Sequence, residues 1–335
     1  MQENLPSCLF NPIDRRKLLG LAGAVGLSHI ATPALAQKWP NKSIRFVVPF
    51  APGGSSEIVA RSTAAEMTKT IGQSVYVDNK PGAAGNIAMS EVARAEDHHT
   101  VILGHIGTLA VNPYIFAKLP YNVEKDFKPI SLLAKVPSLY VVNPKVPVKN
   151  IKELIEYAKA NPESLSYGSA GNGSAGHLAF EYLKLTSGFS MLHVPYRGTG
   201  PMMTDLLSGR VGASAIGAAA VIPFIKSGKL RCIATGSSKR IPQLPDVPTV
   251  AEQGFPGFEM TQWYGKLAPA NFSSSEIDLL AAETSKAVRA PSSVERLHAD
   301  AAEIIGDTPA QFAEFIAREQ ARWKQVIAKA QIKAD

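Results

Sequence analysis

The chain has 335 residues, 45% apolar and 19% charged, with a formal net charge of +7. That composition supplies a large core, or two, and excludes a disordered tail or a low-complexity chain. The basic excess is mild and dispersed and carries no RNP, zinc-finger or helix-turn-helix pattern, so it suits collection of anions and gives no reason to expect a nucleic-acid partner.

Residues 1–36 read as a cleaved signal peptide. Asp14-Arg15-Arg16-Lys17 precedes an apolar run over 18–30, and Ala34-Leu35-Ala36 supplies a small-x-small cleavage pattern. The mature chain is expected to start at Gln37 in the periplasm, with both Sec and twin-arginine export open. The run over 18–30 is too short to span a bilayer, and no later stretch is long and apolar enough. Cys8 leaves with the leader, so Cys232 alone remains; no internal disulfide is expected, and its strand-like context predicts a buried, inert thiol.

From Ser43 onward, strand-length apolar runs at 44–50, 75–77, 101–103, 139–142, 191–194, 211–216 and 231–234 alternate with helical stretches. This is the pattern of a mostly parallel sheet covered on both faces. Asn150-x-x-Glu153 and Ser273-x-x-Glu276 read as helix starts. In the last helix Thr308 is the expected N-cap and Pro309 the first residue. Phe312, Phe315, Ile316, Trp323, Val326 and Ile327 form the stripe that should dock it on its lobe. Two Pro-flanked extended stretches, 135–147 and 258–269, are the expected crossings between lobes. One lobe would comprise 37–138 plus 264–335, the other 139–263.

Glycine-rich corners fall after predicted strands and before predicted helices. They are Phe50-Ala51-Pro52-Gly53-Gly54-Ser55-Ser56, the segment 167–177 around Gly171, Gly173 and Gly176, the segment 79–86 ending at Asn86, and Gly104-His105-Ile106-Gly107-Thr108. Glycine lets a ligand approach the backbone, and a helix start offers unpaired N–H groups, so such corners bind carboxylate or phosphate without a charged side chain. The formal Gly-x-Gly-x-x-Gly at 171–176 lacks the acidic residue expected about 20 positions on. Tyr196-Arg197-Gly198 stands there, so no nicotinamide cofactor is expected.

Neither Ser169 nor Ser174 has nucleophile-elbow spacing, no His-Glu-x-x-His occurs, and the adjacent His98 and His99 point apart. No catalytic residue and no metal site are therefore expected. His177 reads equally as a hydrogen-bonded loop residue or a ligand contact, and His193, inside an apolar strand, as structural.

Strings running in order through nearly the whole mature chain carry a family resemblance. They include IRFVVPFAPGGSSE, GQSVYVDNKPGAAGNI, LPYNVEKDFKPISLLAKVPSLYVVNP, LSYGSAGNGSAGHLAFEYLK, HVPYRGTGPMMTDLLSGRV, SGKLRCIATGSSKRIPQLPDVPTVAEQGFPGF and WYGKLAPA. The sequence resembles the extracytoplasmic receptors of tripartite tricarboxylate transporters, the Bug receptors. The resemblance implies an α/β type II periplasmic binding protein, with two lobes of mostly parallel sheet joined by a two-stranded hinge. It also implies a monomer without cofactor or turnover, which captures a small carboxylate and delivers it to membrane transporter subunits. Carried onto this chain, the ligand residues are Phe50, Ala51, Pro52, Gly53, Gly54 and Ser55 on one lobe. On the other they are Ser169, Ala170, Gly171, Asn172, Gly173 and Ser174, with Asn86, Thr108, His177, Tyr196 and Arg197 around them.

Departures from the family pattern refine the ligand. Gly212 to Ala220 reads GASAIGAAA, where relatives place an acidic residue and bulkier side chains. That predicts a site unable to pair an amino group, favouring a mono- or dicarboxylate, aromatic ones included, over an amino acid. Arg197 is suited either to a second carboxylate or to bracing the cleft mouth. Two alternative functions stay open, an orphan receptor serving a sensory partner and an exported hydrolase using Ser174 and His177.

Overall fold

The computed structural model describes residues 39–162, 164–330 and 332; the leader expected over 1–36 lies outside them. β1 (Ile44–Val48), apolar except at Arg45, leads through a tight loop into α1 (Ser55–Thr70), whose Val59, Thr63 and Met67 lie one turn apart on its buried face. β2 (Val75–Asn79), α2 (Asn86–Ala93) and β3 (Thr100–His105) follow, and β3 is buried along its whole length. A π-helical turn over Gly107–Val111 and the short α3 (Asn112–Ile115) and α4 (Val123–Asp126) lead to β4 (Phe127–Val142). Next come α5 (Ile151–Ala160), β5 (Ser166–Ser169), α6 (Ala175–Ser187), β6 (Leu192–Pro195), α7 (Thr199–Ser208), β7 (Ala213–Gly217), α8 (Ala218–Lys226) and β8 (Arg231–Thr235). The chain closes with β9 (Thr261–Pro269), α9 (Ser274–Val288), α10 (Pro291–Ala299), β10 (Glu303–Ile304) and α11 (Pro309–Ala330).

The predicted helix starts form as capped ends. Asn150 accepts from the Glu153 amide at 2.9 Å, and the Glu153 carboxylate reaches back to the Lys149 amide. Ser273 and Glu276 make the full reciprocal box, and Thr308 does the same with Gln311.

Strand order along the sheet is β2-β1-β3-β9-β4-β7-β5-β6, with β8 and β10 also on β4. β1 runs parallel to β2 and β3, and β5 runs parallel to β6 and β7. The long strands run against them: β9 is antiparallel to β3 and β4, and β4 is antiparallel to β7. Each lobe's sheet is thus parallel on its outer side and mixed where the lobes join.

β4 makes the join. It pairs with β9 from Phe127 to Pro137, then with β7 from Ser138 to Val142, so one strand serves both lobes. The returning chain lies beside it: the Ser138 carbonyl accepts from Gly236, the Gly236 carbonyl from Met260, and the Met260 carbonyl from Ser138. These are the two strands of the hinge.

Two expectations need adjusting. The apolar run places this strand at 139–142, while Lys128, Pro129, Lys135 and Pro137 break up the residues before it. The strand begins at Phe127 and absorbs the break through register shifts at Pro129/Ser131 and Leu132/Ala134. The stripe of α11 buries as predicted, with Phe312 and Trp323 fully enclosed, but it does not dock on one lobe only. Trp323 lies edge-on to Tyr182 of α6, and Arg322 donates to the Glu259 carbonyl, so the helix straddles the hinge.

Candidate functional site

Four helices start at one cavity between the lobes. Their N-caps are Gly54 for α1, Ser174 for α6, Gly198 for α7 and Gly217 for α8. Gly54, Ser55, Ser56, Ser174, Ala175, Gly176, Thr199 and Gly217 line the cavity, and Phe50, His105, Ile106, Ala170, Met202, Ala215, Ile216, Gln262 and Tyr264 complete the wall. The space open to the centre of a water-sized sphere is about 40 Å³, roughly the room of three waters.

Among the described residues, no charged side chain lines this space. Three of the four helices begin on glycine with no side-chain cap, where serine, threonine, asparagine or aspartate would ordinarily satisfy a first-turn amide. The first-turn N–H groups of α1 and α7, those of α8 that Asp300 does not take, and the positive ends of four helix dipoles therefore converge on the cavity. Such an arrangement holds an anion with neutral donors.

Around it the lobes are shut against each other. A Cβ on Gly198 would stand 2.7 Å from Ala51, one on Gly200 would stand 3.2 Å from the Pro52 carbonyl, and Gly53 faces Gly200 at 3.6 Å. Ala51, Pro52 and Gly53 are thus the seam of the cleft rather than its wall. On the hinge side the Gly173 carbonyl comes within 2.2 Å of the place a Gly107 Cβ would take.

Polar groups behind the wall set its character. The Gly107 amide donates to His105 Nδ1 at 2.6 Å, and the ring lies 4.5 Å from that of Phe50. Burial lowers the His105 pKa to about 3, so the ring is neutral. Tyr264 donates to Gln262 Oε1 at 2.6 Å. Asp300, at the end of α10, accepts from the Ala219 amide in the first turn of α8 at 2.5 Å, across the cleft. Its Oδ2 and the neighbouring Ser55 Oγ are buried without a well-formed hydrogen bond among the described residues, and burial raises the Asp300 pKa to about 6.

Of the residues expected at the site, Phe50, Gly54, Ser55, Ala170 and Ser174 line the cavity. Gly53 and Gly173 do not turn their amides to it: the first donates to Glu57 Oε2 at 2.8 Å and the second to His177 Nδ1 at 3.1 Å. Ser169 is tied to His193 and to both backbone groups of Gly171, fixing the loop that includes Asn172. Asn86 and Thr108 are buried behind the cavity, where Tyr121 donates to the Asn86 side chain and the Thr108 carbonyl. Tyr196 donates to Asp205, and Arg197 is exposed beside the Ala51–Gly198 seam.

Sequence reasoning passed over Thr199, Met202, Gln262 and Tyr264. The corners containing Ser56 and His105 were recognised, but Ser55 and Thr108 were chosen from them. The other residues meet only in three dimensions; a Gly-Thr-Gly opening a helix at 198–200 was the one local signal available.

His193 is structural as expected: its ring stacks between Tyr167 and His177, and burial lowers its pKa to about 3. His98 and His99 diverge, one toward Glu276 and the other onto the Asp97 carbonyl. Burial pushes the Cys232 thiol up to about 12, the inert state expected.

The sequence matches the model of the tripartite tricarboxylate transporter family receptor over residues 59–332. It is 35% identical over 318 residues to protein BugT of Bordetella pertussis, covering 94% of this chain and 98% of that one. Among solved structures, an R. palustris protein with adipate superposes with a TM-score of 0.84 at 35% identity, covering 88% of this chain and 99% of that one. MatC from Rhodopseudomonas palustris with bound malate gives 0.83 at 33%, covering 86% and 100%.

Proposed function

The chain belongs to the tripartite tricarboxylate transporter receptor family, and from that premise we propose that it captures a small carboxylate between its lobes and delivers it to membrane transporter subunits. The observation that carries this reading is the meeting of four helix N-termini, three of them starting on glycine, on a cavity without a charged side chain in its wall among the described residues. Carboxylates are the ligands of two relatives, adipate in one and malate in the other. The narrow cavity favours an aliphatic acid over an aromatic one, and the Ala215–Ile216–Gly217 wall offers no acid to an amino group.

The moving units are 37–138 with 264–335, and 139–263, supported by the change of sheet within β4 at Pro137–Ser138. The contacts are Phe50, Gly54, Ser55, Ala170 and Ser174, with Ser56, His105, Thr199, Gln262 and Tyr264 added. Maturation before Gln37 places the protein in the periplasm, where its relative BugD is named a periplasmic binding protein. Mass measurement of the secreted chain checks that start.

A hydrolase reading finds no support in the Ser174–His177 pair. Ser174 Oγ accepts from the His177 backbone amide as a helix cap, and His177 Nδ1 accepts from Gly173, so the ring is not set as the base of that hydroxyl.

Thermal denaturation with malate, succinate, adipate, benzoate and glutamate tests the proposal. A ligand at about a hundred times its Kd adds about 2.7 kcal/mol to the native state, which raises the midpoint by several degrees. At least one aliphatic acid should do so, and glutamate and benzoate should not. A midpoint unmoved by every aliphatic acid sinks the reading.

A further inference from the structure

His105 and Tyr264 are paired residues of adjacent antiparallel strands, and Gln262 is two residues from Tyr264. Cross-strand partners and i, i+2 neighbours share a face, so the three form one polar ridge on the hinge side of the cavity, all three lining it. The hydrogen bonds on this ridge fix which ends are left over. The Gly107 N–H occupies His105 Nδ1, which makes Nδ1 the bare nitrogen and places the ring proton on Nε2. That Nε2–H is buried, on a side chain only 2% exposed, and has no partner among the described residues. The Tyr264 hydroxyl occupies Gln262 Oε1, which leaves the Gln262 amide end as a donor.

Resting on the carboxylate-receptor reading, we infer that His105 and Gln262 form a second ligand subsite of two neutral N–H donors, facing the helix starts, which reads a second carboxylate and makes the protein selective for dicarboxylates over monocarboxylates. A buried donor left unmade by the ligand is costly, and a monocarboxylate whose alkyl end meets this ridge leaves His105 Nε2–H unsatisfied. A dicarboxylate satisfies it while its other end takes the helix amides. The discrimination is of the kind made by sites built to hydrogen-bond a substrate group, which reject analogues lacking that group strongly. The Phe50 ring, tilted by 31° at a centroid distance of 4.5 Å, packs against the imidazole, and the Gly107 amide holds the tautomer, so the donor is preset before the ligand arrives.

Calorimetry with two matched pairs, succinate against butyrate and adipate against hexanoate, tests this. In the unaltered protein one dicarboxylate should bind on the order of ten- to hundredfold more tightly than its monocarboxylate partner. In His105→Phe that ratio should collapse, mostly through loss of dicarboxylate affinity, while His105→Gln, which can place an amide N–H near the Nε2 position, should recover part of it. Nitrogen NMR of the unaltered protein supplies a readout independent of the variants: Nε2 should be the protonated ring nitrogen, and its proton should shift when dicarboxylate is added. Equal affinity for both members of each pair, a ratio that survives in a folded His105→Phe, or a ring protonated on Nδ1 overturns the inference. Absence of binding by any of the four acids instead overturns the carboxylate-receptor reading on which it rests.

Discussion

Lys266 is a residue whose position works against stability. It sits on β9 with no exposure, its amine 2.7 Å from Met67 Sδ, 3.0 Å from Thr284 Oγ1 and over the Phe46 ring, and among the described residues it has no acid as an ion-pair partner. Burial lowers its pKa from 10.5 to about 7. The unfolded chain holds this proton more tightly than the native one, so stability contributed at this position rises with pH between about 7 and about 10.5 and is lowest below that window. Lys266→Met removes the desolvation while keeping the length of the side chain, and should stabilise the protein at neutral pH by on the order of 1–3 kcal/mol. Denaturant titrations across that range would check it, because the variant should also lose the rise with pH. A variant less stable than the parent at neutral pH would show that the amine contributes more than it costs. Nothing in the sequence flagged this lysine, since WYGKLAPA reads as an extended polar-interrupted stretch and only the packing of α1 and α9 over β9 encloses residue 266. His105 is a parallel case: its corner was visible, but the choice of the imidazole depends on a hydrogen bond from Gly107 that spacing cannot reveal.

Elements with local punctuation were legible, and those defined by partners were not. Ser273/Glu276, Asn150/Glu153 and Thr308/Pro309 each announced a helix, because a cap is a short-range hydrogen bond within four residues. The N-termini of α7 and α8 lack such caps and went unrecognised as parts of the site, although Gly212–Ala220 was expected near it. One first-turn amide of α8 is taken from outside the helix, by Asp300, about 80 residues on, whose carboxylate accepts from Ala219. Its pKa is raised from 3.8 to about 6 by burial, so the native state holds the proton that the unfolded chain gives up. The associated stability is fully present below about 3.8 and is lost as pH rises through about 6. Asp300→Asn keeps the Oδ1 acceptor and should remove that decline, with a thermal midpoint at least equal to the parent's at pH about 7. If the decline between those two pH values persists in the variant, another group is responsible for it.

At the scale of the whole molecule, the two-lobed α/β architecture was readable because corners, strand runs and crossing stretches recur in a fixed order along the chain. The closed geometry was not, since closure is a set of contacts between residues such as Ala51 and Gly198 that share no local pattern. Gly217 isolates that closure from folding. Its backbone, φ −65 and ψ 151, is ordinary for alanine, so the second lobe should accept Gly217→Ala without strain. The added Cβ would instead stand 1.9 Å from Ser55 Oγ, 3.1 Å from Ser55 Cβ and 3.2 Å from Asp300 Oδ1, all on the first lobe. Rotating the Ser55 hydroxyl away relieves the first contact but not the other two, so the lobes must stay slightly apart. Overpacking of this kind costs about 1–3 kcal/mol. Here it falls on the closed state alone, so ligand affinity should drop by about tenfold or more, whereas the midpoint of an open state would barely move. Small-angle scattering at saturating ligand should give a larger radius for the variant than for the parent. An unchanged affinity together with an unchanged radius would mean that Gly217 and Ser55 do not meet in the ligand-bound state, and that the anion is held in a more open cleft than the one the four helix starts now enclose.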